Sequence, residues 1–185
     1  PQYVVAEYEP FEIRAPTPAG PEVDKVKITR RQSYQELKSP EIDNAFHDLV
    51  SSWTQESNGR CEVIGVEGTA IDALGALGMK KAFLAPIPLD HALNILAWAG
   101  ASGGANGRRR GMSTGRFSAW WVVAALADMV GQWPVPPVDL AREGERLNWW
   151  FWAEEENPSG WNLNLAINDH QADVTWAVSA HDKAI

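Results

Sequence analysis

The chain has 185 residues and a formal net charge of −8, from 24 Asp and Glu against 16 Lys and Arg with four His neutral. That length suits one domain spanning residues 1–185, and such a chain buries roughly two thirds of the surface it exposes when unfolded, so it needs neither disulfides nor a structural metal. Hydrophobic residues at 45% and charged residues at 22% exclude wholesale disorder, collagen and coiled coil.

Tyr3 to Tyr8 reads as a short strand, and the three prolines of 15–21 (APTPAGP) as a rigid connector, so residues 1–21 form an extended arm. Glu22 to Ile28 is a second strand. Ser39-Pro40-Glu41 starts a helix, with a capping hydroxyl, proline at the first helical position and an acid in the first turn. Ile42, Ala45, Phe46, Leu49, Val50 and Trp53 share one face of it, and Asn58-Gly59 ends it. Cys61 to Val66 is a strand. Thr69 and Asp72 then have capping-box spacing for a short helix with Ile71, Leu74 and Leu77 on one side.

Met79 to Ala85 gives another strand, and Pro88 opens a helix that turns Leu89, Leu93 and Leu96 inward and runs into Gly100. The next helix begins at Ser113 or Thr114 and runs to Val130, with Phe117, Trp120, Trp121, Ala124 and Ala127 inward, before Gly131 and Pro134. Pro137 starts a short charged helix up to Arg146. Beyond it the pattern changes period. Trp161, Leu163, Leu165 and Ile167 alternate with polar or small residues, and so do Val174, Trp176, Val178 and Ala180 after a turn. Leu147 to Glu154 is the third strand of this C-terminal meander. The fold class is α+β, a helical middle packed against an antiparallel sheet that includes the meander.

Much chemistry is excluded. The single cysteine, Cys61, rules out an internal disulfide and every multi-cysteine metal pattern. The four His share no metal-ligand spacing, no pair of groups is nominated as general acid and base, and no cofactor or catalytic residue is expected. No segment reaches membrane-spanning length, and PQYVVAEYEP lacks the features of a signal peptide, so a cytoplasmic setting is the expectation. The acidic balance disfavours nucleic acid as a partner.

Against this background residues 100–116, GASGGANGRRRGMSTGR, stand out with six glycines, four arginines and no acid. The acid-free stretch runs from His91 to Ala127; its four arginines give +4, which leaves −12 for the rest of the chain. Unpaired N–H groups at a helix start attract anions, and arginine adds forked donors that fit phosphate or carboxylate. Arg108, Arg109, Arg110, Ser113, Thr114 and Arg116 are therefore the candidate residues for a phosphate-bearing ligand or an acidic partner surface. The plainer alternative is a helix connection whose arginines pair with Glu154, Glu155, Glu156 or Asp139. Gly111-Met112-Ser113-Thr114-Gly115 matches the nucleophile-elbow pattern, but the residues before it cannot form the buried strand that an elbow requires.

Ten of the eighteen aromatics are Trp. Along Leu147 to Glu154 one face carries Trp149 and Phe151, the other Trp150 and Trp152, so both sides of this strand are aromatic. If the first pair joins the core, something must cover Trp150 and Trp152, whether a helix or the N-terminal strand of the same chain, a protein partner or second copy, or a stacking ligand, the last disfavoured because Glu154 to Glu156 and Asp173 would repel a phosphate backbone. They join the candidate contact residues.

The run SGGANGRRRG, with GRF and Trp120-Trp121 following, resembles an uncharacterised family of actinobacterial proteins over about Leu96 to Ala180. The resemblance implies a bacterial cytoplasmic setting and a special role for the arginine loop, and brings no catalytic residues with it. The expectation is thus a non-enzymatic binding or assembly protein. The alternative is a small enzyme acting on a phosphate- or carboxylate-bearing substrate through the same loop.

Overall fold

The computed structural model describes residues 20–28, 31, 33–156 and 159–184. The strand expected at Tyr3 to Tyr8 and nearly all of the proline-rich connector lie outside the described residues. Among the described residues, seven strands, β1 (Asp24–Lys27), β2 (Glu36–Leu37), β3 (Arg60–Glu67), β4 (Lys81–Ile87), β5 (Asn148–Ala153), β6 (Trp161–Asp169) and β7 (Val174–Asp182), form one antiparallel sheet. Its order is β1-β4-β5-β6-β7-β3-β2, with the C-terminal meander at the centre. Six helices accompany it among the described residues: α1 (Pro40–Leu49), α2 (Ser51–Gln55), α3 (Ala70–Ala76), α4 (Leu89–Ser102), α5 (Met112–Leu126) and α6 (Pro137–Arg146). The fold is α+β.

Alternation in the meander fixes which side chains meet the helices. Trp149, Ile167 and Trp176 lie abreast, as do Leu163 with Ala180 and Leu165 with Val178. With Trp161 they form one face, packed against Phe46, Leu49 and Trp53 and against Leu96, Val122 and Val123. Ser39 caps α1, its hydroxyl accepting from the Ile42 N–H at 3.4 Å. The helix expected to continue to Asn58 instead breaks at Val50 into α1 and α2, and the Gly59 N–H bonds back to the Trp53 carbonyl at 2.9 Å. Both pieces keep the expected apolar face.

The face of α5 differs from expectation. Gly115, Ser118, Ala119, Val122 and Val123 are buried, whereas Phe117 is 55% exposed. The cause is close packing on α4: a methyl on Gly115 would collide with the Ala97 carbonyl oxygen, and one on Gly100 would stand 3.1 Å from the Gly115 Cα. Small residues let the two backbones approach, so Phe117 is displaced outward, while Trp120 and Trp121 stay half-buried against the core and Ala124 is buried as expected. The helix also ends at Leu126, earlier than expected, and a 3-10 turn follows at Val130–Gln132.

The opposite face of the sheet has its own small core. Ala70, Ala73 and Leu74 of α3 pack with Val66, Leu84, Ala166, Ala177 and Trp152. Thr69 and Asp72 form the expected capping box, and Asp72 also pairs with Arg31 at 2.7 Å. Trp152 is 1% exposed, inside this second core, and Trp150 packs half-buried at its margin. Among the described residues, α3 and its neighbours supply cover for these tryptophans.

Candidate functional site

The chain leaves α4 through Gly103 and Gly104, both at positive φ, a backbone region that glycine adopts without a Cβ clash. Gly104 lies against the Asp182 carboxylate and the Trp53 ring, leaving no room for a side chain. The rest of the loop is pinned by hydrogen bonds. The Ala105 N–H donates to Asp182 Oδ2 at 2.7 Å, the Asn106 amide to Ser57 Oγ at 3.2 Å, and Ser57 Oγ to Asp182 Oδ1 at 3.1 Å. The Arg108 N–H donates to Glu56 at 2.7 Å, and the Arg110 N–H returns to the Ala101 carbonyl at 3.0 Å. Trp53 Nε1 donates to Ser102 Oγ at 3.1 Å. The loop is thus a preset shape between the end of α4, the end of α2 and the last residue of β7.

Its arginines divide. The Arg110 guanidinium donates to the Asp48 carbonyl at 2.7 Å, the Leu49 carbonyl at 3.4 Å and Ser51 Oγ at 3.1 Å. It satisfies carbonyls at the end of α1, where a helix carries partial negative charge, and so serves the fold. Its partners are α1 carbonyls rather than Glu154, Glu155, Glu156 or Asp139, the last of which pairs with Arg142 at 3.0 Å. Arg108 and Arg109 are exposed. Gly111 follows as N-cap of α5 with φ 81°, no side chain caps the helix, and no acid stands in its first turn. Ser113 is exposed and Thr114 half-buried on that first turn. Arg116 lines a cleft of about 350 Å³ between α4 and α5, with Asp90, Asn94 and Trp120 among its walls. Arg108, Arg109 and Ser113 are thus exposed in the residues flanking an uncapped helix start, while Arg110, Trp150 and Trp152 are engaged elsewhere.

The thiol of Cys61 is pushed up to about 12, first by burial and then by the neighbouring Asp43 and Glu62 carboxylates, which favours its neutral form. Among the described residues no three His, Cys, Asp or Glu come together as a metal site, and no helix is long and apolar enough to cross a membrane.

A model of a family of unknown function, DUF6183, matches residues 2–182. The chain belongs to that family. No curated protein and no solved structure matches it. The DUF6183 match takes in the arginine loop, all seven strands and the segment ahead of β1 alike.

One surface feature of this DUF6183 chain escapes a reading of its sequence. Phe117 stacks on Trp121 at 6.2 Å, and Trp133 meets both edge-on at 6.0 and 5.3 Å. Trp133 is 37% exposed, so the three rings form an aromatic surface beside Arg116. Its only sequence signal is the small-residue stripe Gly115, Ser118, Ala119, which takes the buried side of α5 and leaves the aromatics the outer one.

Proposed function

We propose that the chain is a non-enzymatic binding protein that engages an anionic ligand or the acidic surface of a protein partner at the start of α5, with the cytoplasm as its setting. The observation that carries this reading is the open N-terminus of a fifteen-residue helix, uncapped and free of acids in its first turn, beside the exposed Arg108 and Arg109. Unpaired N–H groups and the helix dipole favour negative charge there, and the guanidinium forks supply donors that match carboxylate or phosphate. Because Asp182, Glu56 and Ser57 already hold the loop, binding need not order the backbone, which lowers its entropic cost. The cleft at Arg116 has a carboxylate, Asp90, and an amide, Asn94, in its lining, and no histidine. Nothing there favours the enzymatic alternative over binding.

The test compares wild type with the double variant Arg108→Ala/Arg109→Ala, titrated with inorganic phosphate and with a polyglutamate peptide. Binding that weakens roughly tenfold while Tm stays unchanged supports the proposal. Undiminished binding, or no binding by wild type to either probe, overturns it.

A further inference from the structure

The outer edge of β3 is only partly closed. β2 pairs with it at Val66 and Gly65, and the Glu67 N–H reaches the Gln35 carbonyl at 3.1 Å. The chain then turns away through Lys38 and Ser39 into α1, leaving Arg60 to Ile64 without a neighbour on that side among the described residues. Backbone groups in an antiparallel strand alternate sides. Since Glu67 faces β2, so do Gly65, Val63 and Cys61, whereas Arg60, Glu62 and Ile64 face β7. Cys61 and Val63 thus present their N–H and C=O groups to an open edge, a template for one more strand.

The space along this edge is a cleft of about 530 Å³. One wall is the start of α1, the other the end of α3 at Ala76, and Trp176 lies at the floor. The indole reaches that far because Gly65 has no side chain: a Cβ there would stand 2.5 Å from the ring. Glu36, Asp43 and Glu62 line the cleft against a single Lys38. The raised thiol of Cys61, in which Asp43 and Glu62 share, is consistent with this negative potential.

We infer that this cleft takes up an extended segment of a partner protein, basic and alternating with apolar residues, which adds to β3 as a strand along the line that β2 abandons. Backbone pairing to Cys61 and Val63 supplies the hydrogen bonds, Trp176 receives an apolar side chain, and the three carboxylates select Lys or Arg. Charge decides against a second copy of the chain. A two-fold pairing that used both Cys61 and Val63 would set Glu62 opposite Glu62, and like charges directly across a pair destabilise it. This surface is separate from the arginine loop and prefers the opposite charge, so the two readings stand or fall independently.

The experiment uses the full chain and a short blocked peptide alternating Lys or Arg with Val, a sibling in which Glu replaces the basic residues, and a third N-methylated on the edge-pairing amides. The basic peptide should bind, shift Trp fluorescence and slow amide exchange at Cys61 and Val63. The acidic and N-methylated peptides should bind roughly tenfold weaker or not at all. Val63→Pro, which removes an edge-facing N–H that the sheet does not use, should abolish binding. Should that variant fail to fold, the N-methylated peptide tests the same pairing, and Glu62→Lys should narrow the preference for the basic peptide. Equal binding of all three peptides, absence of saturable binding, unprotected Cys61 and Val63 amides, or a dimer of the free chain protecting those amides would each overturn the inference.

Discussion

Asp182 is 2% exposed, yet three donors converge on it: Ser57 Oγ at 3.1 Å and the N–H groups of Ala105 at 2.7 Å and Lys183 at 2.9 Å. Removing a buried acceptor strands all of its donors, which costs more than the hydrogen bonds contribute net. Asp182→Ala is expected to lose about 3 kcal/mol, read as a lower urea midpoint at unchanged slope. Arg110→Ala, which uncaps the α1 carbonyls, should lose about 1–2 kcal/mol, while Arg108→Ala and Arg109→Ala should stay within about 0.5 kcal/mol. That contrast separates the arginine that serves the fold from the two that stand exposed on the loop. Gly115→Ala sets two effects against each other. Alanine gains about 1 kcal/mol in helix propensity, but its methyl meets the Ala97 carbonyl, a backbone atom that cannot swing aside, and overpacking of that kind costs about 1–3 kcal/mol. The collision should win, and the variant's Tm should fall.

Between elements, a charged link ties α6 to the β6–β7 hairpin. Arg146 bonds Glu143 at 2.9 Å and Asp169 at 2.6 Å, and Asp169 also accepts from the turn N–H groups of Gln171 and Ala172. The Arg146 hydrogen bond first, then the turn N–H groups, hold the Asp169 carboxyl below its usual range. A depressed carboxylate contributes stability that is complete above its unfolded pKa, near 3.9, and is lost as pH falls through the lower folded value. Asp169→Asn should therefore destabilise at neutral pH, and its deficit against wild type should shrink below about pH 4 in urea melts taken across the acid range. The residues around this link were readable in advance: the alternation of Trp161 to Ile167 and Val174 to Ala180 locates the hairpin, as Ser39 and Thr69 locate two helix starts, because these signals are local. The second core was not readable. Nothing local says that α3 crosses the sheet to cover Trp152, nor that Arg110 reaches back 62 residues to Asp48. The outward turn of Phe117 was missed for a related reason: hydrophobicity ranks aromatics as core, whereas close backbone approach selects glycine and alanine.

For the whole molecule, charge is sorted by place. The loop and α5 carry no acid, while the cleft beside β3 carries three carboxylates, so one acidic protein has two surface regions of opposite charge. Sheet order adds a constraint of another kind. β7 lies between β6 and β3, and Arg60 pairs with His181 across most of the chain. A chain emerging from the ribosome can assemble α4 against α5 early, but β3 stays without its main neighbour until the last strand has appeared. Contacts so distant in sequence close slowly. A chain ending before Val174 should accordingly remain protease-sensitive, with an arginine loop whose anchor, Asp182, has not yet been made. Because its anchor Asp182 lies on β7, the arginine loop takes its final shape only once that strand has been made, so a nascent or truncated chain would not display Arg108 and Arg109 on a set backbone ahead of the completed sheet.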